Sequence, residues 1–164
     1  MSHYQKIFAV IELNDKGSRV ARQAWQLARA GHATLAISVV VDYTPGYESG
    51  HVPFMTPRQM KAATMIDVSR LLDALLADAG VAGAERIVID GSSPESIVEV
   101  AGSWGADLLV VGSHATHGLV RGDGGGNAIT ARGHSMDLLA VNLGSDSLRG
   151  GWRGRLVHAL SGVF

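Results

Sequence analysis

The residues whose types and spacing could do chemistry are concentrated between Asp107 and Val141. An apolar run, Leu108 to Val111, meets Gly112 and opens into a loop with Gly118, Gly122, Gly124, Gly125 and Gly126. This is the pattern of a buried strand feeding a glycine-rich turn. Without a Cβ, a backbone can approach a phosphate closely and turn its N–H groups inward, and a helix starting just after the loop adds positive dipole density. Such a loop suits a polyphosphate. It can equally be a surface loop with no ligand, because glycine-rich strings alone are weak motifs.

Other chemistries are poorly supplied. The chain has no cysteine, which excludes disulfides, thiolate metal sites and cysteine nucleophiles. It has no Walker lysine, no G-x-S-x-G elbow and no paired carboxylates in a catalytic motif. His114 and His117 stand i, i+3 near the loop but have no third placed ligand, so no metal site is assigned. The expectation is a binding protein and not an enzyme.

The elements that would position such a loop alternate regularly. Ile7 to Leu13 is apolar except at Glu12 and reads as a strand covered on both faces. The turn Asn14-Asp15-Lys16-Gly17 leads to a helix with Ser18 as its expected N-cap, Val20, Ala24, Leu27 and Ala28 inward, and Gly31 as its stop. Thr34 to Val41 is a β-branched second strand. Tyr43 to Pro57, about 14 residues with Tyr43, Tyr47 and Phe54, is long for a connection and reads as a functional lid or a disordered segment.

From about Arg58 a long amphipathic helix carries Val68, Leu71, Leu72, Leu75, Leu76 and Ala79 on one face until Gly80. Met60 and Met65 read as packing residues. Arg86 to Asp90 is a third strand. The next helix has Ser93 as N-cap, Pro94 in its first turn, Ile97, Ala101 and Trp104 inward and Gly105 as its stop. Asp107 to Val111 is the fourth strand, Asn127 to Arg132 a short helical candidate and Asp137 to Val141 the fifth strand. The fold class is therefore α/β, a single doubly wound, mostly parallel five-stranded sheet of order 3-2-1-4-5 with helices on both faces.

In such sheets a ligand lies outside the carboxyl ends of the strands, where the order reverses, here between strands 1 and 4. From the first two strands the candidate nucleotide-binding residues are Glu12, Asn14, Val41 and Asp42. From the fourth strand and its loop they are Gly112, His114, Ala115, Gly125, Gly126 and Asn127. A carboxylate suits ribose hydroxyls or a base amine, and backbone N–H groups suit phosphates.

Strand 1 with its terminal acid, the Val-Val-Gly-Ser-His turn, Gly118-Leu119 and the closing strand after a histidine together resemble the universal stress protein family, over roughly residues 4 to 142. ATP-binding members carry G-x2-G-x9-G-[S/T] after the fourth strand. Here Gly112 and Gly125 match, whereas Ala115 replaces the second glycine and Gly126 the hydroxyl residue, with Asn127 as a partial substitute donor. The acid ending strand 1 is usually Asp in Asp-Gly-Ser; this chain has Glu12-Leu13-Asn14. The Val-Asp-Tyr ending of strand 2 and the run His134 to Leu139 resemble the universal stress protein A branch, generally regarded as lacking ATP binding.

The resemblance thus implies a stress-response regulatory protein with an adenine-nucleotide crevice for ATP or AMP, Mg2+ being expected only with ATP. The alternative it implies is a nucleotide-free dimeric adaptor acting through protein contacts. A slow ATP hydrolase is the remaining option. Strand 5 is expected at the sheet edge, and an exposed edge is usually covered or paired, so a homodimer through Ala140, Val141, Asn142 and Leu143 is expected.

The stress-protein domain spans residues 1–143, and residues 144–164 form a tail. There Trp152, Leu156, Ala159, Leu160 and Val163 make an apolar stripe beside basic residues, a candidate amphipathic helix that docks on its own domain or meets a protein partner. The net charge of −1 gives no footprint for nucleic acid. No apolar stretch approaches the roughly 20 residues needed to span a bilayer, and a cytoplasmic location is expected.

Overall fold

The computed structural model describes residues 4–41, 55–91, 93–113 and 135–144. Eight elements follow one another: β1 Lys6–Ile11, α1 Asp15–Gly31, β2 Thr34–Val41, α2 Pro57–Asp78, β3 Glu85–Asp90, α3 Pro94–Trp104, β4 Leu108–Gly112 and β5 Asp137–Val141. The strands form one sheet in the order β3-β2-β1-β4-β5, with every neighbouring pair parallel. Both the α/β class and the strand order are as the sequence predicts. The expected loop after β2 as far as residue 54, the glycine loop from residue 114 on, the helical candidate at Asn127 to Arg132 and the tail from Ser145 lie outside the described residues, and the expected loop's last residue, Pro57, is already helical.

The unbroken apolar runs have a direct cause in the layering. Successive side chains of a strand point to opposite faces. Ile7, Ala9 and Ile11 of β1 join α1 and α2 in one buried cluster with Leu35, Ile37 and Val39 of β2 and Leu108 and Val110 of β4. Phe8 and Val10 join Ile97, Val98 and Ala101 of α3 on the other face, together with Leu109 and Val111. A strand covered twice has no solvent face on which to place a polar residue. Ser38 of β2 is the one buried polar side chain among the described residues, and its hydroxyl donates to the Ala9 carbonyl at 3.0 Å.

Helix ends show where local propensity and structure part company. Ser93 caps α3 as expected, its Oγ accepting from the Ser96 N–H at 3.1 Å, and Gly105 ends that helix in the left-handed region at φ 85°. The cap of α1 is Asn14, whose side chain accepts from the Gly17 N–H, and not Ser18, which lies inside the helix. At the other end Gly31 is still helical and His32 takes the left-handed position at φ 54°. Helix α2 begins a residue earlier than expected, at Pro57. Thr56 caps it in a reciprocal box, Thr56 N–H donating to Gln59 Oε1 at 2.8 Å and Gln59 N–H to Thr56 Oγ1 at 3.3 Å.

The amino end of the sheet is tied by carboxylates. Asp107 accepts from the backbone N–H groups of Gln5 at 2.7 Å and Lys6 at 3.0 Å, and Asp137 accepts from the Tyr4 hydroxyl at 2.8 Å. Asp137 is thus a hydrogen-bonding residue of the β5 entry. The donation to Asp137 is the main cause that raises the Tyr4 phenol above its ordinary value of 10.0, with desolvation and the nearby carboxylate charges adding to it.

A folded-state value above the unfolded one means that this contribution is complete below about pH 10 and is lost as pH climbs through the raised value. Stability of the wild type is therefore expected to fall more steeply than that of Tyr4→Phe between about pH 9 and about pH 11. Urea midpoints at the two pH values check this, and parallel declines would contradict it.

Candidate functional site

The carboxyl ends of β1 and β4 lie side by side at the reversal of strand order. Their register pairs Val10 with Val111, which sets Glu12 level with Ser113 just beyond the strands. β2 flanks β1 on the other side, and β4 is in turn paired with β5, Gly112 opposite Val141. In open parallel sheets this is the place where two crossovers leave in opposite directions and a crevice remains.

Three groups fix the β1 side. Glu12 is half-buried where the strand ends. The Asn14 side chain bridges in both directions, its Nδ2 donating to Glu12 Oε2 at 2.7 Å and its Oδ1 accepting from the Gly17 N–H at 2.9 Å. Gly17 itself is pressed against the backbone of Glu12: a Cβ there would stand 1.7 Å from the Glu12 carbonyl oxygen. The first turn of α1 can sit this close to the end of β1 only because residue 17 has no side chain. The acid is thereby held on a rigid strand-to-helix turn.

The β4 side is organised by the segment after β5. Leu143 N–H donates to Ser113 Oγ at 3.2 Å, Arg19 of α1 donates to the Asn142 carbonyl at 3.3 Å, and Gly144 N–H donates to Asn142 Oδ1 at 2.9 Å. Leu143 turns its side chain onto Gly112, where a Cβ would meet Leu143 Cδ1 at 2.5 Å and Val20 Cγ2 at 3.6 Å. The space left by the missing Cβ of Gly112 is thus filled by the chain's own leucine.

Of the expected ligand-binding residues, the structure brings Glu12, Asn14 and Gly112 to this end of the sheet. Val41 ends β2 there as well, buried, with its carbonyl accepting from Gly91 N–H at 3.0 Å. Asp42, His114, Ala115, Gly125, Gly126 and Asn127 lie outside the described residues. At the end of β5 and just after it, Ala140 and Asn142 are exposed, whereas Val141 and Leu143 are half-buried against the core on the α1 side.

Sequence reasoning missed Gly17, Arg19 and the bond made by Ser113, a residue it places at the crevice with Gly112 to His117. Gly17 had a legible signal, since an Asn followed three residues later by a small residue fits a side-chain cap on that residue's N–H. Arg19 and Ser113 had none, because their partners lie far away in the chain. Among the described residues no group of three or more His, Asp or Glu side chains could hold a metal ion, and no helix is long and apolar enough to cross a membrane.

These features define a doubly wound α/β domain with a half-buried carboxylate just beyond the buried strand ends at its switch point. Residues 3–123 match the Universal stress protein family, well over half of the chain. The chain belongs to that family.

Among curated relatives, universal stress protein A homolog 1 of Coxiella burnetii is 26% identical over 117 residues, covering 71% of this chain and 81% of the relative. Universal stress protein A homolog 2 of the same organism is 24% identical over 144 residues, 87% of this chain and 98% of the relative. Among solved structures, a universal stress protein in complex with cAMP superposes with a TM-score of 0.57 at 25% identity. It covers 86% of this chain and 98% of its own.

Proposed function

We propose that this protein is a stress-response regulator that binds an adenine nucleotide, AMP or ATP, between Glu12 and the loop that follows Gly112. The observation that carries the reading is the Glu12 carboxylate, tethered at the end of β1 directly beside the end of β4. A carboxylate accepts hydrogen bonds and repels phosphate, so it takes the hydroxyls or amine of a nucleoside and leaves the phosphates to backbone N–H groups on the β4 side. The likeness to a universal stress protein in complex with cAMP supports adenosine as the nucleoside. Mg2+ enters this reading only with ATP. The role assigned is binding, without turnover, in the cytoplasm, and no nucleic acid or membrane partner is invoked.

The test is to denature freshly purified protein, identify any released nucleotide by chromatography, and titrate the nucleotide-free protein with AMP and ATP by calorimetry. Binding is expected, with affinity reduced about tenfold or more in Glu12→Ala, as loss of a hydrogen bond to a charged group implies. No released nucleotide and no binding heat up to about millimolar ATP, an affinity below about 4 kcal/mol, would reject the reading.

A second reading, a nucleotide-free dimeric adaptor, is favoured by one observation. Gly112, the first glycine of the loop motif, is covered by Leu143. In that reading the functional surface is the β5 edge from Ala140 to Leu143, paired with a second copy, and the tail meets a protein partner.

A further inference from the structure

The nucleotide reading leaves open how a flexible glutamate becomes a defined recognition group, and the residues around it supply the means. We propose that Asn14 is a positioning residue for the Glu12 carboxylate: it contacts no ligand and holds the acid in its binding orientation before a nucleotide arrives. This rests on the nucleotide reading of the same crevice.

The orientation of the Asn14 amide is set by chemistry. The Gly17 backbone N–H can only donate, so it must face Oδ1, and an ionised carboxylate can only accept, so it must face Nδ2. The two bonds, at 2.9 Å and 2.7 Å, therefore admit one amide orientation and not its flip. The anchor beneath is equally fixed. Asn14 is extended at φ −153° as the cap of α1, and α1 is held on the Glu12 backbone by the close approach of Gly17.

A glutamate has three side-chain torsions, and ordering such a chain on binding costs affinity. The Asn14 tether to Oε2 removes much of that freedom in advance. Asn14 thus couples the start of α1 to the recognition acid, and its two roles, cap and tether, can be separated by substitution.

Asn14→Ser keeps a capping oxygen for the Gly17 N–H and removes the amide donor, and Asn14→Asp keeps the cap and replaces the donor with a second acceptor. The full-length protein and both variants are titrated with AMP and ATP by calorimetry, alone and in a Glu12→Ala background, and their melting temperatures are recorded. Both variants are expected to melt close to the wild type. Asn14→Ser should bind both nucleotides roughly five- to tenfold more weakly, and Asn14→Asp more weakly still, because it sets two carboxylates together. In the Glu12→Ala background Asn14→Ser should have no further effect, which a purely structural role would not produce.

Wild-type binding with unchanged affinity in both variants would overturn the positioning role alone. So would an equal loss with and without Glu12. Absence of nucleotide binding by the wild type would overturn the nucleotide reading and this inference with it.

Discussion

Gly17→Ala is expected to be the most damaging single methyl group in the described part of the chain, costing about 4 kcal/mol of stability and lowering the melting temperature by roughly 10 °C. The added Cβ would sit 1.7 Å from the carbonyl oxygen of Glu12, 2.7 Å from its carbonyl carbon and 2.9 Å from its nitrogen. All three are backbone atoms, so no rotamer change relieves the overlap. Either α1 tilts away from the sheet, or the end of β1 shifts together with the two residues it carries. Helix α1 packs Val20, Ala21, Ala24 and Ala28 against the sheet, so a tilt is transmitted along its buried face.

The same displacement separates Asn14 from the Gly17 N–H and releases Glu12, so any surviving fold is expected to lose nucleotide affinity as well. Ser18→Ala, one residue further on, is the control, and its cost should stay within about 0.5 kcal/mol because Ser18 is not the cap. Thermal melts of the pair check the contrast. A Gly17→Ala protein as stable as Ser18→Ala would mean that the turn yields to the added Cβ.

Gly112→Val carries the second large effect, about 3 kcal/mol. Gly112 is buried at the end of β4. Its first added carbon would already stand 2.5 Å from Leu143 Cδ1, and Val20 lies on the same side. Valine brings two further carbons into that space, so Leu143 must leave the site and strain the hydrogen bond from its N–H to Ser113 Oγ.

In contrast to Gly17, the obstructing group is the far end of a side chain, which makes the cost removable. In a Leu143→Ala background the same substitution should cost at least about 1 kcal/mol less, a coupling in the range found for residues in contact. Denaturant midpoints of the four proteins close the cycle. Additive costs would show that Leu143 is not what requires glycine at position 112. The double variant has a functional use too, because it restores a folded crevice with a Cβ at position 112. Its nucleotide affinity then reports how closely a phosphate approaches there.

How much of this was legible in advance varies with the range of the forces involved. The β2 and β5 runs coincide with their sequence-predicted limits, because an apolar stretch covered by neighbours leaves its signature residue by residue. The parallel sheet with helices on both faces followed from right-handed crossovers acting on a regular alternation of strands and helices, and the expected order of its strands is the one observed. The cap of α3 was legible because Ser93, Pro94 and Glu95 all favour the same start. At α1 the sequence pointed to Ser18 as the cap, whereas Asn14 takes that place. The fit of Gly17 onto the Glu12 backbone decided it, by starting the helix at Asp15. For α2, Thr56 and Gln59 spell a capping box in the sequence that the expected start at about Arg58 passed over.

The sequence by itself determined the α/β class and the presence of an acid where β1 ends, since these follow from periodicity and motif spacing along the chain, and its motifs already resembled those of the family to which it belongs. Only the tertiary structure decided what that acid and its neighbouring glycine do. Asn14 tethers Glu12 while capping α1, and Leu143, 31 positions beyond Gly112 in the chain, fills the space that glycine leaves open. The reason is physical: a missing Cβ looks the same in a sequence whether a phosphate, a backbone carbonyl or a leucine lies against it, and only packing between distant segments settles which one does.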